Sequence, residues 1–432
     1  MLQQKPVART SLLKVAVLVT LEREKAAGGH VKSWERLAEV AAQRPALVDL
    51  SLHFLGDQPK LETMTANVRF VTHRPAFGTR SFRFLDQAAG HTDLARRHRG
   101  LLPYLRAADV VHATDFFSFG RTALAYAGRF GYGLTASVQT DVPRFTAIYA
   151  GDIIKRLVGR PVGTVLVDGF QLPERIAQGM ARKLDRQLLR CDRILLSKPE
   201  DRDRLVDKMP EGAVRMFRRG VNRERFHPRH RDRERLARQF NIPDNRVVLL
   251  FAGRVDASKG APLMADAVDL LAKQGLDVHA LIVGEGQDRD RIEGLLRGRA
   301  TLPGNLPQSE LAWLYASSDI FVFPSMTEVS PNVVLEAKAS GLPVVVASEH
   351  GGGQFVACPG VDGIVIASRD PADWAAPLRP LVTDSEKRAQ IGCAARRWIE
   401  QEWPNWDEVL EQDLLSAWTE AAENGRYRQC RS

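Results

Sequence analysis

The run Ile320-Phe-Val-Phe-Pro-Ser325-Met-Thr-Glu328-Val-Ser330-Pro-Asn332-Val333-Val-Leu-Glu336-Ala-Lys-Ala-Ser-Gly341-Leu-Pro-Val344-Val-Val-Ala347 decides how the chain folds. Residues 320–323 and 344–347 are short apolar runs rich in β-branched and aromatic side chains, and the stretch between them has a helical pattern. This is one βαβ unit. Ser330 followed by Pro331 reads as a helix start, because serine can cap free amides and proline at the first helical position gives up an N–H that would be unpaired anyway. The helix runs through Leu335 and Ala339 and stops at Gly341-Leu-Pro343. Glu328 therefore falls on the loop at the carboxyl end of a strand, and Glu336 about a turn and a half into the helix. In open α/β sheets ligands bind at that edge, and a helix N-terminus there attracts anions through its dipole and free amides.

Two glutamates separated by seven residues, set in Pro-Ser…Glu…Asn-Val-Val-Leu-Glu-Ala…Gly-Leu-Pro-Val-Val, resemble the signature of family 4 of the retaining glycosyltransferases, which have the GT-B fold. The resemblance implies that Glu328 lies beside a donor sugar and that Glu336 binds a nucleotide ribose. It also implies an α/β chain of two Rossmann-like doubly wound domains facing a central cleft, with a C-terminal helix that crosses back to the first domain.

Length and composition agree with that class. A chain of 432 residues exceeds one hydrophobic core, so two domains of roughly 200 residues are the natural division. No apolar run approaches the roughly 18 residues needed to cross a bilayer. The run Leu12-Leu-Lys14-Val-Ala-Val-Leu-Val19 is interrupted by Lys14 and followed by no small-residue cleavage site, so it reads as a strand and not as a secretory leader. Cys191, Cys358, Cys393 and Cys430 are scattered without a Cys-x-x-Cys, as structural cysteines of a reducing cytoplasm would be, which argues against a zinc site. The net charge of +9 favours anionic partners; no nucleic-acid module accompanies it, which leaves sugar nucleotides or a phospholipid surface.

From Val15 onward, strand-length apolar runs at 15–20, 50–55, 68–71, 109–112, 134–138 and 193–196 alternate with amphipathic stretches, the pattern of a parallel sheet with crossover helices. Ala27-Gly28-Gly29-His30 opens a helix over residues 31–42. The glycine pair fits a plain turn as well as a site where amides approach a phosphate or sugar. Its place matches the glycine-rich loop that, in the resembled family, lies near the donor diphosphate and the acceptor. The segment from Arg69 to Arg106 is basic, with Arg74, Arg80, Arg83, Arg96, Arg97, Arg99 and Arg106 interleaved with Phe77, Phe82, Phe84 and Leu85. It reads as a solvated face or as an amphipathic surface held against anionic lipid.

Ser137-Val-Gln139-Thr-Asp141-Val-Pro-Arg144 looks like the family's His-Thr-Asp-x-Pro segment, with Gln139 where histidine is usual. Glutamine keeps hydrogen-bonding capacity but cannot carry a proton. Either the position only orients the sugar, or activity or specificity is altered. Arg219-Gly220-Val-Asn222…Phe226-His-Pro228 resembles the run that closes the family's N-terminal domain, and the charged stretch after it offers little for a core. The expected division is 1–229 for an acceptor-side domain, 230–403 for a nucleotide-sugar domain, and 404–432 for a C-terminal helix packed back on the first.

The second domain opens with an apolar run at 246–252 and then Gly253-Arg254-Val-Asp-Ala-Ser-Lys259-Gly260, which resembles the family's Gly-Arg-x4-Lys-Gly element. The resemblance implies that Arg254 and Lys259 bind the donor diphosphate, and two cations at a strand end can stabilise charge on a leaving diphosphate. Gly284-Glu-Gly286 begins like a dinucleotide fingerprint, but Arg289 stands in the third glycine's place. Leu302-Pro-Gly304-Asn-Leu306-Pro resembles the loop that receives the nucleotide base. His350-Gly351-Gly352-Gly353 has no Gly-x-Ser-x-Gly partner and reads as a turn after a strand. Asp201-Arg-Asp203 and Asp288-Arg-Asp290 have Asp-x-Asp spacing but sit among arginines, as solvated faces do. Near the C-terminus Pro404 is a candidate helix break, Val409, Leu410, Leu414, Ala417 and Trp418 share one helical face, and the polar tail from Asn424 is expected to fray.

The implied reaction is transfer of a sugar from a UDP- or GDP-linked donor to a hydroxyl acceptor, with no cofactor and with cationic side chains in place of a metal. Arg254, Lys259, Glu328 and Gln139 are the catalytic candidates. Gly28, Gly29, Asp141, Leu306, Ser330, Asn332, Val333 and Glu336 are the substrate-binding ones. The acceptor is expected on a lipid or cell-envelope glycan, with the protein in the cytoplasm and in peripheral contact with the inner face of the membrane. A non-catalytic sugar-nucleotide or glycan binder, motivated by Gln139 and Pro331, and a GT-B sugar-nucleotide epimerase are the competing readings. Pro331 stands where the family often has glycine and cannot donate an amide hydrogen bond.

Overall fold

Apolar runs and amphipathic stretches alternate along the chain, and they build two sheets, each with its own core. The computed structural model describes residues 12–23, 28–79, 92–139, 172–326, 328, 330–348 and 351–429. The chain divides into two units, residues 1–218 with 407–432, and residues 219–406.

The first unit's described strands are β1 (Leu13–Glu22), β2 (Val48–Leu55), β3 (Lys60–Thr65), β4 (Val68–His73), β5 (Val110–Ala113), β6 (Gly133–Val138), β7 (Arg193–Leu196) and β8 (Val214–Met216), ordered β3-β4-β2-β1-β5-β6-β7-β8. All neighbours are parallel except the β3–β4 pair at the edge. Strand β1 is covered on both faces, so Val15 to Val19 read as a continuous apolar run and are all buried. The helix Gly29–Gln43 buries Trp34 against His112 and Phe217 at ring separations of 5.1 and 6.1 Å.

The C-terminal helix Ser416–Gln429 also belongs to this unit. Trp418 Nε1 donates to His112 Nδ1 at 3.2 Å, Glu420 bridges Arg193 and Arg215, each at 2.7 Å, and Arg428 grips both Asp192 carboxylate oxygens at 2.7 and 2.8 Å. The fraying expected from Asn424 does not occur before Gln429. Arg428 ties the last turns down, and Gly425 lets the helix lie directly on the backbone of Gly131 to Gly133. Before this helix the chain is π-helical over Val409–Leu415, where the buried Asp413 accepts from Arg218 Nη2 at 2.6 Å.

The second unit holds β9 (Val247–Ala252), β10 (Val278–Val283), β11 (Ala300–Gly304), β12 (Ile320–Phe323), β13 (Val344–Ala347) and β14 (Ile364–Ile366), ordered β11-β10-β9-β12-β13-β14 and parallel throughout. The division between units falls after Arg218, earlier than the boundary expected after 229, and the chain leaves the second unit after Trp406 instead of 403. The reason is packing. Val221 and Phe226 are buried in the second unit's core, and Trp406 lies directly on Gly220.

Candidate active site

In the second unit, chain order changes direction at β9, which has β10 on one side and β12 on the other. Such a switch point opens a crevice at the carboxyl ends of the strands. The strand ends approach closely there: Gly253 N donates to Val283 O and Gly284 N to Gly304 O, both at 2.9 Å. A Cβ on Gly284, whose φ is 140°, would overlap the Gly253 carbonyl oxygen, so only glycine fits.

Asp256 organises the loop after β9. Its Oδ1 accepts from Lys259 N at 3.0 Å and from Ser258 Oγ at 2.6 Å, and the same hydroxyl accepts from Arg254 Nη2 at 3.3 Å. Gly260, with φ 77°, starts the helix Ala261–Lys273 and would press a Cβ into Pro324 at 2.7 Å. Ser325 Oγ donates to Ser258 O at 3.4 Å. The loops after β9 and β12 are therefore locked together, and Lys259 Nζ forms an ion pair with Glu328 Oε1. The lysine side chain is 14% exposed and the glutamate 32%, so the cation is recessed and the carboxylate is the more accessible partner.

A third cation was not anticipated here. Arg219 is buried; burial pushes its guanidinium down to about 10, and the charge of Glu328 pulls it back up. Its carbonyl accepts from Trp403 Nε1 at 2.6 Å, which fixes the backbone at that point. Nothing local in the sequence marks Arg219, because Arg218 beside it serves the other unit by pairing with Asp413.

The helix that follows spans Asn332–Ala339, one residue later than expected. Pro331, with φ −76° and ψ 109°, occupies the cap position in extended backbone and has no side-chain acceptor, so Ser330 does not cap the helix. The amides of Asn332 and Val333 begin the first turn, where helical N–H groups have no intrahelical acceptor. Glu336 is oriented by a relay: Arg225 Nη1 donates to Gln308 Oε1 at 2.9 Å, which leaves Gln308 Nε2 to donate to Glu336 Oε1 at 3.4 Å. The buried Tyr315 hydroxyl lies beside this carboxylate; burial, then the carboxylate's charge, push its ionisation well above the ordinary phenol range. Leu306 is half-buried just ahead of the Gln308–Ser317 helix that carries Gln308. On the inner side of the Asn332–Ala339 helix, Lys338 is fully buried and pairs with Asp362 at 2.7 Å.

The structure thus brings Arg254, Lys259, Glu328, Ser330, Asn332, Val333, Glu336 and Leu306 into the second unit's strand-end loops and the helices that follow them. Gly28, Gly29 and Gln139 form another group in the first unit, at the carboxyl ends of β1 and β6. A Cβ on Gly28 or Gly29 would meet nothing within 4 Å, so packing does not require either glycine. Gln139 is buried, and neither amide atom has a hydrogen-bond partner among the described residues. Asp141, Arg80, Arg83, Phe82, Phe84, Leu85 and His350 lie outside the described residues.

Asp201 pairs with Arg204 at 2.8 Å and Asp203 with Arg202 at 3.1 Å, on a helix surface. Among the described residues no group of three His, Cys, Asp or Glu side chains is arranged to hold a metal. Cys191, Cys358 and Cys393 are free thiols, and among the described residues no helix is long and apolar enough to cross a membrane.

Comparison with known proteins agrees with this geometry. The sequence model of the family described as Glycosyl transferases group 1 matches residues 232–398. The chain is 31% identical over 298 residues to the GDP-mannose-dependent alpha-mannosyltransferase of Mycolicibacterium smegmatis, covering 68% of this chain and 70% of that protein. It is 29% identical over 375 residues to a D-inositol 3-phosphate glycosyltransferase of Catenulispora acidiphila, covering 83% and 82%. With the sulfoquinovosyl transferase of Arabidopsis thaliana it shares 34% over 208 residues, 47% of this chain but 40% of that protein. Among solved structures, sucrose-phosphate synthase from Thermosynechococcus elongatus superposes with a TM-score of 0.64 at 18% identity, covering 97% of this chain and 99% of that one. HepE from Anabaena, in complex with UDP and glucose, gives 0.61 at 16% identity, covering 94% and 99%. Both show the fold.

Proposed function

The chain belongs to the group 1 glycosyltransferases, which have the GT-B fold, and from that premise we propose that it transfers a sugar from a nucleoside-diphosphate donor to a hydroxyl acceptor with retention at the anomeric carbon. The observation that carries the reading is the joined loop pair after β9 and β12. It sets Arg254 and Lys259 on one strand end and Glu328 on the next, with the amides of Asn332 and Val333 alongside.

In this reading Arg254 and Lys259 take the diphosphate. As the bond between the anomeric carbon and the diphosphate oxygen breaks, negative charge grows on that oxygen, and preorganised cations stabilise it without reorganising. The acceptor hydroxyl attacks the same face, and its proton leaves with the diphosphate, so no protein nucleophile is needed. Glu328 and Gln139 orient the sugar, the helix amides and Ser330 bind its hydroxyls or phosphate, and Glu336 holds the ribose. Arg219 attracts the Glu328 carboxylate and holds it in place. Gly28 and Gly29 leave room for the donor diphosphate and acceptor, Asp141 serves the acceptor side, and the backbone near Leu306 receives the base. Cationic side chains make a divalent metal unnecessary, so transfer continues in EDTA.

The donor carries UDP or GDP, and the acceptor is a hydroxyl on a lipid or cell-envelope glycan, reached by peripheral contact at the inner face of the cytoplasmic membrane. The test is thermal stabilisation against a panel of UDP- and GDP-sugars, because a ligand that binds only the folded state must raise its stability. A shift with one donor that disappears in Lys259→Ala supports the reading; no shift with any donor, in folded protein, refutes it. Stabilisation without any cleavage of the donor would instead favour the non-catalytic reading that Gln139 motivates.

A further inference from the structure

We propose that the first unit carries an anion site of its own, a cavity of about 400 Å³ lined by Arg96, Arg97, His98, Arg99, Thr122 and Tyr126, which takes a phosphate group borne on a polyol or on a lipid headgroup. None of these residues belongs to the candidate active site, and the inference does not depend on the transferase reading.

The charge is uncompensated. Among the described residues no carboxylate pairs with Arg96, Arg97 or Arg99, and the contact made by Arg97 is with the face of Tyr126, 5.5 Å from guanidinium carbon to ring centre. The nearest acid in sequence, Asp93, is buried and already engaged, accepting from the amides of Ala76 at 3.1 Å, Phe77 at 2.8 Å and Ala95 at 3.0 Å. Elsewhere on this unit arginines meet acids, as Arg204 meets Asp185 and Asp201, and Arg215 meets Glu420. Three guanidinium forks at one opening is the arrangement suited to the several oxygens of a phosphate.

The wall is also built. Leu94 N donates to Phe77 O at 3.0 Å, so the arginine run leaves from a short ladder. His98 N donates to Thr122 Oγ1 at 2.8 Å, and that hydroxyl donates to Ser118 O at 2.6 Å, which ties the run to the helix Ser118–Phe130. His98, itself 7% exposed, donates from Nε2 to the Arg74 carbonyl at 2.9 Å, which fixes the ring in the wall. The volume exceeds that of a bare ion and suits a phosphorylated group of sugar size.

The test uses the purified full chain at low salt with two probes: glycerol 3-phosphate in solution, and vesicles of phosphatidylglycerol in phosphatidylcholine. The variants are Arg97→Ala/Arg99→Ala and Arg97→Lys/Arg99→Lys. Wild type binds at least one probe, each arginine lost to alanine weakens binding roughly tenfold, and added salt weakens it further. The lysine variant keeps part of the affinity, because charge remains while the fork is lost. Binding of glycerol 3-phosphate assigns the site to a soluble phosphate, and binding of vesicles alone assigns it to a headgroup. The proposal is overturned if wild type binds neither probe, or if the alanine variant, with wild-type circular dichroism and Tm, binds both as wild type does.

Discussion

Replacing Lys338 by methionine is expected to cost the second unit about 3 kcal/mol. The ammonium is fully buried, donates to Asp362 Oδ2 at 2.7 Å and to the Phe355 carbonyl, and stands 3.8 Å over the Trp398 ring. Methionine keeps most of the volume, so the loss is that of the charge and not of packing. Breaking a buried pair from one side costs about 3–5 kcal/mol. Here the low end applies, because Asp362 keeps two donors, Ala357 N at 3.0 Å and Cys358 N at 2.8 Å. In a unit of this size that lowers Tm by about 6–12 °C. Lys338→Met/Asp362→Asn should recover much of the loss, since the amide carries no stranded charge while its carbonyl oxygen can still accept from the loop amides.

The pH dependence has a definite sign. Burial pushes the Asp362 carboxyl up, but the Lys338 ammonium and the Cys358 and Ala357 amides outweigh it and hold the group below its ordinary range. The stability this contributes is complete above the unfolded carboxyl pKa and is lost as pH falls through the lower folded value. The gap between wild type and Lys338→Met therefore narrows in acid. Urea denaturation followed by circular dichroism at neutral and acidic pH measures both effects. A single variant as stable as wild type, or a double variant less stable than Lys338→Met, would refute the reasoning.

Further outcomes follow from the same geometry. Burial, then the nearby His98, lower His73 from 6.5 to about 4, so the unfolded chain takes up a proton that the folded first unit does not. His73 alone should take about 1.6 kcal/mol off stability between pH 6.5 and 5, the buried His53 and His112 steepen the fall, and His73→Gln should remove its share of the slope in urea titrations. Glu336→Ala should raise KM for the donor roughly tenfold with a smaller effect on kcat, while Gln308→Leu, which only loosens the carboxylate, gives a weaker version of the same split. Arg219→Met should lower kcat roughly tenfold and Arg219→Lys much less; equal kcat in all three proteins would remove Arg219 from the site.

Much of the second unit could be read from its residues because its central strands are buried: β9, β12 and β13 are continuous apolar runs, β10 is broken only by His279, and burial on both faces writes itself into composition. The edge strand β3 could not. Its residues Lys60-Leu-Glu-Thr-Met-Thr65 are mostly solvent-facing, and it is held by an antiparallel partner instead of by a core. Strand β11 was masked by its likeness to a loop, since Pro303 and Gly304 lie at its end. In the site, Arg254, Lys259, Glu328 and Glu336 carry spacing that can be read along the chain. Arg219, Arg225, Gln308 and Lys338 do not, because each acts on a partner brought near only by folding: Glu328, Gln308, Glu336 and Asp362. The turn at Gly351 to Gly353 was legible as a turn, but its reason was not: side chains there would strike Ser325 and Val334 beside the site.

The most direct test is nucleoside diphosphate release from the donor that stabilises the protein, in the presence of a hydroxyl acceptor, for wild type and Lys259→Met. Wild type should turn over, and the variant, still folded, should be slower by roughly 10²–10³-fold, the usual effect of removing one preorganised group that stabilises developing charge. Equal rates in the two proteins, or a wild type that binds the donor and never cleaves it, would contradict the assignment of this site to sugar transfer.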